Sequence, residues 1–272
     1  DSIIKYTNLS LAKRWWTSMT LLKTEGLTKQ FGGLTAVDNV DLEVKEGEIL
    51  GLIGPNGAGK TTIFNLITGI YAPTSGKIYF NGEDITKYKT HIISQKGIAR
   101  TFQNIRLFSN LSSYNNILIA CHDSAKYDLA SGFLRTRECK KQEKELAIEA
   151  KRALNSVGLL EKENIKASSL PYGEQRKLEL ARAIATKPNL LLLDEPAAGM
   201  NENESKQLIE LLKKIRDDYS LTIVVIDHHM DVIMDLCNKI AVLNFGQKIA
   251  FGSPMEIQNN PSVVEAYLGV DE

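Results

Sequence analysis

Cysteine is scarce in this chain: Cys121, Cys139 and Cys237 are the only three among 272 residues, far apart and with no C-x-x-C pair. That odd, scattered set fits free thiols in a reducing cytosol far better than disulfides or zinc. Long apolar runs are missing too. Leu190–Leu193 and Ile223–Ile226 are typical, each stopping at a carboxylate, whereas a membrane span needs roughly 18 apolar residues in a row. Near the start, Lys5, Lys13 and Arg14 interrupt any apolar leader core. Excess charge of either sign is absent, since 33 Lys+Arg balance 33 Asp+Glu. That balance argues against a broad basic footprint for nucleic acid. The expectation is a soluble chain that does any membrane work through a partner.

What is present is ordinary globular composition, 43% hydrophobic and 24% charged. A chain of this length sits near the limit of a single core, so one large domain with a lobe or insertion is expected. Residues 1–18, with Trp15-Trp16 beside Lys13-Arg14, differ from the rest. They read either as an extension or as an amphipathic segment against a partner or membrane surface. From Met19 the pattern becomes regular. Val40–Val44 alternates, Glu48–Ile53 is an apolar strand entering a glycine loop, and Lys60–Thr68 is helical up to Gly69. Gly76–Phe80 followed by Asn81-Gly82 predicts a strand and tight turn. Across about 104–168 the character changes: Leu146, Ala150, Ala153, Leu154 and Val157 share one face of a highly charged helix, which reads as a helical insertion. Strands at Leu190–Leu193, Leu221–Ile226 and Lys239–Leu243 then alternate with helices. That alternation predicts a largely parallel sheet sandwiched by helices.

The strongest chemical signal is Gly54-Pro55-Asn56-Gly57-Ala58-Gly59-Lys60-Thr61, which satisfies G-x-x-x-x-G-K-[ST] between an apolar strand and a helix. Glycines let consecutive backbone N–H groups turn inward onto phosphate oxygens, and the helix N-terminus adds positive potential. Lys60 is placed to neutralise β- and γ-phosphates, and Thr61 to offer its hydroxyl to Mg²⁺. A second signal is Leu190–Leu193 followed by Asp194-Glu195, two carboxylates at the C-terminal edge of a buried strand, where open α/β sheets bind ligands. Asp194 suits the Mg²⁺ shell through water. Glu195, one residue further, can orient and deprotonate an attacking water. A guanine reader is missing, because Asn238-Lys239-Ile240-Ala241 lacks the Asp of N-K-x-D. The two motifs together predict a nucleoside triphosphatase.

Leu170-Pro171-Tyr172-Gly173-Glu174-Gln175, upstream of Asp194, resembles the signature motif of ABC-transporter ATPases, usually written LSGGQ. The resemblance covers essentially residues 19–272 and implies an α/β fold. That fold has a P-loop NTPase core with a mainly parallel sheet, an N-terminal antiparallel β subdomain and an inserted α-helical subdomain. It further implies that Phe31 stacks on adenine, that Gln103 reaches the metal and the attacking water, and that His228 is the switch histidine on the γ-phosphate. His229 stands where the family often has Asp. The loop residues Gly54 to Thr61 with Thr62 would bind ATP, and Tyr172, Gly173, Glu174 and Gln175 would close on it from a second chain. Pro171, Tyr172 and Glu174 depart from the pattern, as does Asn201 in Ala198-Gly199-Met200-Asn201, where the family has Asp. Pro171 removes both a hydroxyl and a backbone donor.

These departures, with the long insertion and the ending Asn260-Pro261 through Ala266-Tyr267-Leu268-Gly269, resemble the ATPase subunits of branched-chain amino-acid importers. ATPases for urea, amides or lipopolysaccharide export share parts of the pattern. The resemblance implies ATP and Mg²⁺ as cofactors and a second ATPase chain, identical or related. It also implies integral-membrane permease subunits, an extracytoplasmic solute-binding protein served indirectly, and no nucleic acid. The expected location is cytoplasmic, peripheral on the inner face of the membrane through the permease. A non-transport ABC ATPase and a nucleotide switch without turnover are the alternatives.

Overall fold

The computed structural model of the chain describes residues 19–122 and 137–268. The 1–18 extension with its tryptophans, the side chain of Cys139 and residues 269–272 lie outside what it describes.

Period-2 burial builds the first sheet. Strand β1 (Thr20–Phe31) pairs antiparallel with β2 (Leu34–Lys45) and with β4 (Ser75–Phe80), and β4 with the short β5 (Glu83–Asp84), in the order β2-β1-β4-β5. The β4–β5 connection is the predicted Asn81-Gly82 turn, both residues at positive φ (51° and 73°), the conformation a two-residue hairpin of matching twist requires.

The second sheet has six strands. The apolar run β3 (Ile49–Ile53) lies at its centre beside β8 (Thr222–Ile226), followed by β7 (Leu190–Asp194) and β6 (Ile98–Arg100), all parallel. On the other side β9 (Lys239–Asn244) joins β3 in parallel, and β10 (Gln247–Gly252) closes the edge antiparallel.

Side chains alternate through this sheet into two cores. Ile49, Ile53, Leu191, Leu193, Ile223 and Val225 face one cluster, built with α3 (Ser113–His122), α4 (Arg137–Ser156), α5 (Tyr172–Ala185), α6 (Glu202–Tyr219) and α7 (Met230–Leu236). Leu50, Leu52, Leu190, Leu192, Val224 and Ile226 face the other. There Ile63, Phe64, Leu66 and Ile67 of α1 (Lys60–Ile67), Ile93 of α2 (Thr90–Gln95) and the antiparallel sheet complete the packing. The expectation of a sheet sandwiched by helices is corrected here: helices cover one face, while α1, α2 and a second sheet cover the other. The reason is that β1, β2 and β4 carry apolar residues mainly on one face of their own antiparallel sheet, and that face is buried by packing on another layer. Leu146, Ala150, Ala153, Leu154 and Val157 are buried together, as their helical spacing predicts. Two short helices, α8 (Pro254–Gln258) and α9 (Pro261–Leu268), finish the described chain.

Candidate functional site

The loop between β3 and α1 is shaped by glycine. At Gly54 φ is +145°, and a Cβ would stand 2.1 Å from the Leu243 carbonyl oxygen. Gly59, at φ +100°, would meet the Ala36 oxygen at 2.4 Å. No other residue fits either place. The loop therefore packs against β9 and β2 and delivers the first N–H groups of α1, which have no partner within the helix, at one point. Lys60 Nζ folds back onto the carbonyls of Gly54 at 2.6 Å and Pro55 at 2.8 Å. Partial burial pulls the Lys60 ammonium below the ordinary lysine range, while the carboxylates of Glu195 and Asp194 pull the other way. Thr61 is exposed and Thr62 half-buried at the same helix end.

The second side of the site is the end of β7. Asp194 is buried, and its Oδ2 accepts from Arg100 Nη2 at 2.7 Å, leaving Oδ1 for another partner. Arg100 lies at the end of β6, bonds Asn65 Oδ1 at 2.7 Å and sits against the rings of Phe64 and Phe102. Arg100 is a functional neighbour that the sequence motifs do not single out. Its position just before Gln103, at a strand end, was the available signal.

Glu195 leaves the strand with φ +49°, a left-handed conformation rare for a residue with a side chain and common where function holds the backbone under strain. Its N–H donates to the Ile226 carbonyl at 2.8 Å, fixing the turn to β8. The carboxylate then accepts from Gln103 Nε2 at 2.8 Å and lies 3.8 Å from His228 Nδ1. The neighbouring His229 is engaged elsewhere. Its Nδ1 is 2.7 Å from Asp227 Oδ1, and the buried Asp227 also accepts from the backbone N–H groups of His229 and Ala197. Of the two histidines, His228 is the one beside Glu195.

The remaining residues singled out by sequence stand apart. Phe31 is partly exposed, edge-on to Tyr71 at 5.2 Å between ring centres, with the Lys29 ammonium 4.9 Å over its face. Pro171 N-caps α5, and Gly173 opens its first turn. Glu174 is gripped by Lys162 at 2.5 and 2.7 Å, and Gln175 Nε2 donates to the Leu170 carbonyl. Among the described residues, no hydrogen bond or ion pair joins Tyr172, Gly173, Glu174 or Gln175 to the loop between β3 and α1. Asn201 explains itself locally: it caps α6, its Oδ1 accepting from Glu204 N–H while Glu204 accepts from Asn201 N–H, a task Asn performs as well as Asp.

Beside Arg100 a cleft of about 250 Å³ separates α2 and β6 from α5, lined by Ile93, Phe102, Glu179 and Arg182 among others. Burial raises the Glu179 carboxyl above the usual carboxylate range despite Arg106 and Arg176 nearby, and lowers the Arg182 guanidinium.

Comparison with known proteins fits this geometry. A family model described as ABC transporter matches residues 37–198, and one described as branched-chain amino acid ATP-binding cassette transporter matches residues 247–272. The high-affinity branched-chain amino acid transport ATP-binding protein LivG of Salmonella typhimurium is 46% identical, over 93% of this chain and 99% of its own. BraF of Pseudomonas aeruginosa, described in the same words, is 43% identical over the same shares. The ADP conformation of MJ1267, an ATP-binding cassette of an ABC transporter, superposes with a TM-score of 0.81 at 30% identity. It covers 93% of this chain and 100% of that one. The ADP- and phosphate-bound post-hydrolysis dimer of the cassette MJ0796 gives 0.72 at 25% identity, covering 86% and 99%.

Proposed function

This chain belongs to the ABC transporter family as one of its ATP-binding cassette ATPases, and from that premise we propose that it powers import of branched-chain amino acids through a separate integral-membrane permease. The solute rests on the relatives' descriptions and on the family match of residues 247–272.

In this reading the amides of Gly54 to Thr62 and the Lys60 ammonium grip the β- and γ-phosphates of ATP. Thr61, Asp194 and Gln103 would supply hard oxygen ligands that suit Mg²⁺, and the ion would neutralise charge on those phosphates. Asp194 retains an oxygen for it because Arg100 takes only Oδ2. Glu195 orients the attacking water and accepts its proton, Gln103 holds the carboxylate in place, and His228 reaches the γ-phosphate. Phe31 stacks on the adenine. The observation that carries this reading is Glu195 in its left-handed turn, joined to Gln103 at 2.8 Å with His228 at 3.8 Å.

Tyr172 to Gln175 serve a second copy or a related ATPase chain. Two chains set head to tail bring Gly173 and the N-terminus of α5 onto the ATP held by the other chain's loop. That arrangement is supported by the separation of the two motifs within one chain. ATP is then the adhesive of the dimer, and loss of the γ-phosphate loosens it. The helical insertion after Gln103 is the docking face for the permease, with the cleft beside Glu179 as the seat. No helix of the described residues is long and apolar enough to cross a membrane. In this reading the chain works from the cytoplasmic face, held there by the permease, and an extracytoplasmic binding protein supplies solute.

The test is the purified transporter complex in vesicles, with phosphate release followed as solute is added. Leucine, isoleucine or valine with the binding protein should raise turnover. Stimulation by a different solute alone overturns the substrate assignment.

A further inference from the structure

Tyr172 stands where the signature motif has glycine, and its hydroxyl is fully used. It accepts from Arg176 Nη2 at 2.9 Å and Nε at 3.1 Å, and donates its own hydrogen to the Ala198 carbonyl at 3.3 Å. Its ring lies 3.6 Å from where a Cβ on Gly199 would be. Arg176, one turn further along α5, is buried, with its side chain 6% exposed and Glu179 as its ion-pair partner at 3.3 Å. The rest of its fork points at backbone: Nη1 donates to the Phe102 carbonyl at 2.9 Å and Nη2 to the Gln103 carbonyl. One planar guanidinium thus joins the signature helix to the segment carrying Gln103, and Gln103 in turn holds Glu195. A hydroxyl joins the same helix to the segment just after Glu195. A glycine at 172 would leave Arg176 and Ala198 without these bonds.

We infer that Arg176, clamped by the Tyr172 hydroxyl, is a positioning residue that makes the pose of Gln103 and Glu195 answer to the signature helix. The inference rests on the proposed function: the signature helix meets the partner chain's ATP, while Glu195 serves this chain's own. The clamp therefore connects two nucleotide sites that share no ligand. Movement of α5 by a bound γ-phosphate in one site shifts the carbonyls of Phe102 and Gln103, and with them the hydrogen bond on Glu195 in the other. This is a coupling between sites with a named physical link.

The experiment compares the full chain with R176K and Y172F. R176K keeps a cation beside Glu179 but cannot fork two carbonyls, and Y172F loses one hydroxyl alone. Melting temperature, equilibrium ATP binding, kcat and the Hill coefficient for ATP are read on each. R176K should keep ATP affinity within about twofold while kcat falls about tenfold, the kinetic weight of one charge-assisted hydrogen bond. Y172F should lower the Hill coefficient toward 1 with a smaller fall in kcat. Wild-type kcat and cooperativity in both variants overturns the inference. So does a loss of ATP binding in proportion to kcat, which marks a merely structural role. Should R176K fail to fold, Y172F alone decides. A wild-type chain that releases no phosphate defeats the underlying functional reading instead, and this is seen before any variant is compared.

Discussion

The side-chain amide of Gln103 donates to the Glu195 carboxylate at 2.8 Å across 92 residues of sequence. A flexible carboxylate in a polar site has many rotamers; this bond, with the left-handed backbone at Glu195, selects one. In the proposed mechanism, pre-ordering of that kind positions Glu195 as a general base before its water arrives. Each element around it contributes one group: β7 the acid, the stretch after β6 the amide, the turn after β8 the histidine.

Lys60→Ala should abolish measurable ATP binding. Among the described residues the ammonium is the only cation bonded to the loop carbonyls, and the phosphates it would meet are highly charged. Calorimetric titration checks this, and a variant that keeps micromolar affinity removes the loop from its assigned task.

Arg100→Met should destabilise the fold by about 3–5 kcal/mol, because it leaves the buried Asp194 carboxylate without its cation. Urea unfolding reads this directly. A loss below about 1 kcal/mol would place the pair among exposed ones, whose worth is that small.

Burial pushes the Cys121 thiol up to about 11 and the Cys237 thiol up to about 12. Both are raised because the thiolate would be desolvated. At pH 8.5, where an ordinary thiol is half ionised, well under about a hundredth of each is thiolate, so alkylation should be slow. Peptide mass spectrometry after iodoacetamide should find both sites unlabelled in the native chain and labelled in denaturant. Linkage runs the same way. The unfolded chain ionises these thiols first, so stability is full below the ordinary thiol range and declines from there until pH passes the folded values of about 11 and about 12.

The glycine loop between β3 and α1 and the Asp194-Glu195 pair at the end of β7 were legible in place because each is written in consecutive residues. Asn81-Gly82 was legible for the same reason, since a turn needing two positive φ values names its own residues. The contacts of Arg100 and Arg176 were not. Arg100 meets Asp194 across 94 residues and Arg176 meets Phe102 across 74, and no local pattern records such a meeting. The antiparallel sheet was half legible: its strands alternate, but nothing in the alternation says that they cover the parallel sheet. Register with the family alone selects His228 over His229; the structure adds the physical difference between the two neighbours, since His229 is tied to the Asp227 carboxylate and His228 lies beside Glu195.

The central claim is that Glu195 activates the water that cleaves ATP and that ATP joins two chains. Phosphate release and solution mass, measured with MgATP on the wild type and on Glu195→Gln, test both halves at once. Glu195→Gln should hydrolyse roughly 10²-fold more slowly and accumulate as an ATP-bound dimer. A variant that turns over at the wild-type rate, or stays monomeric in saturating ATP, contradicts the account.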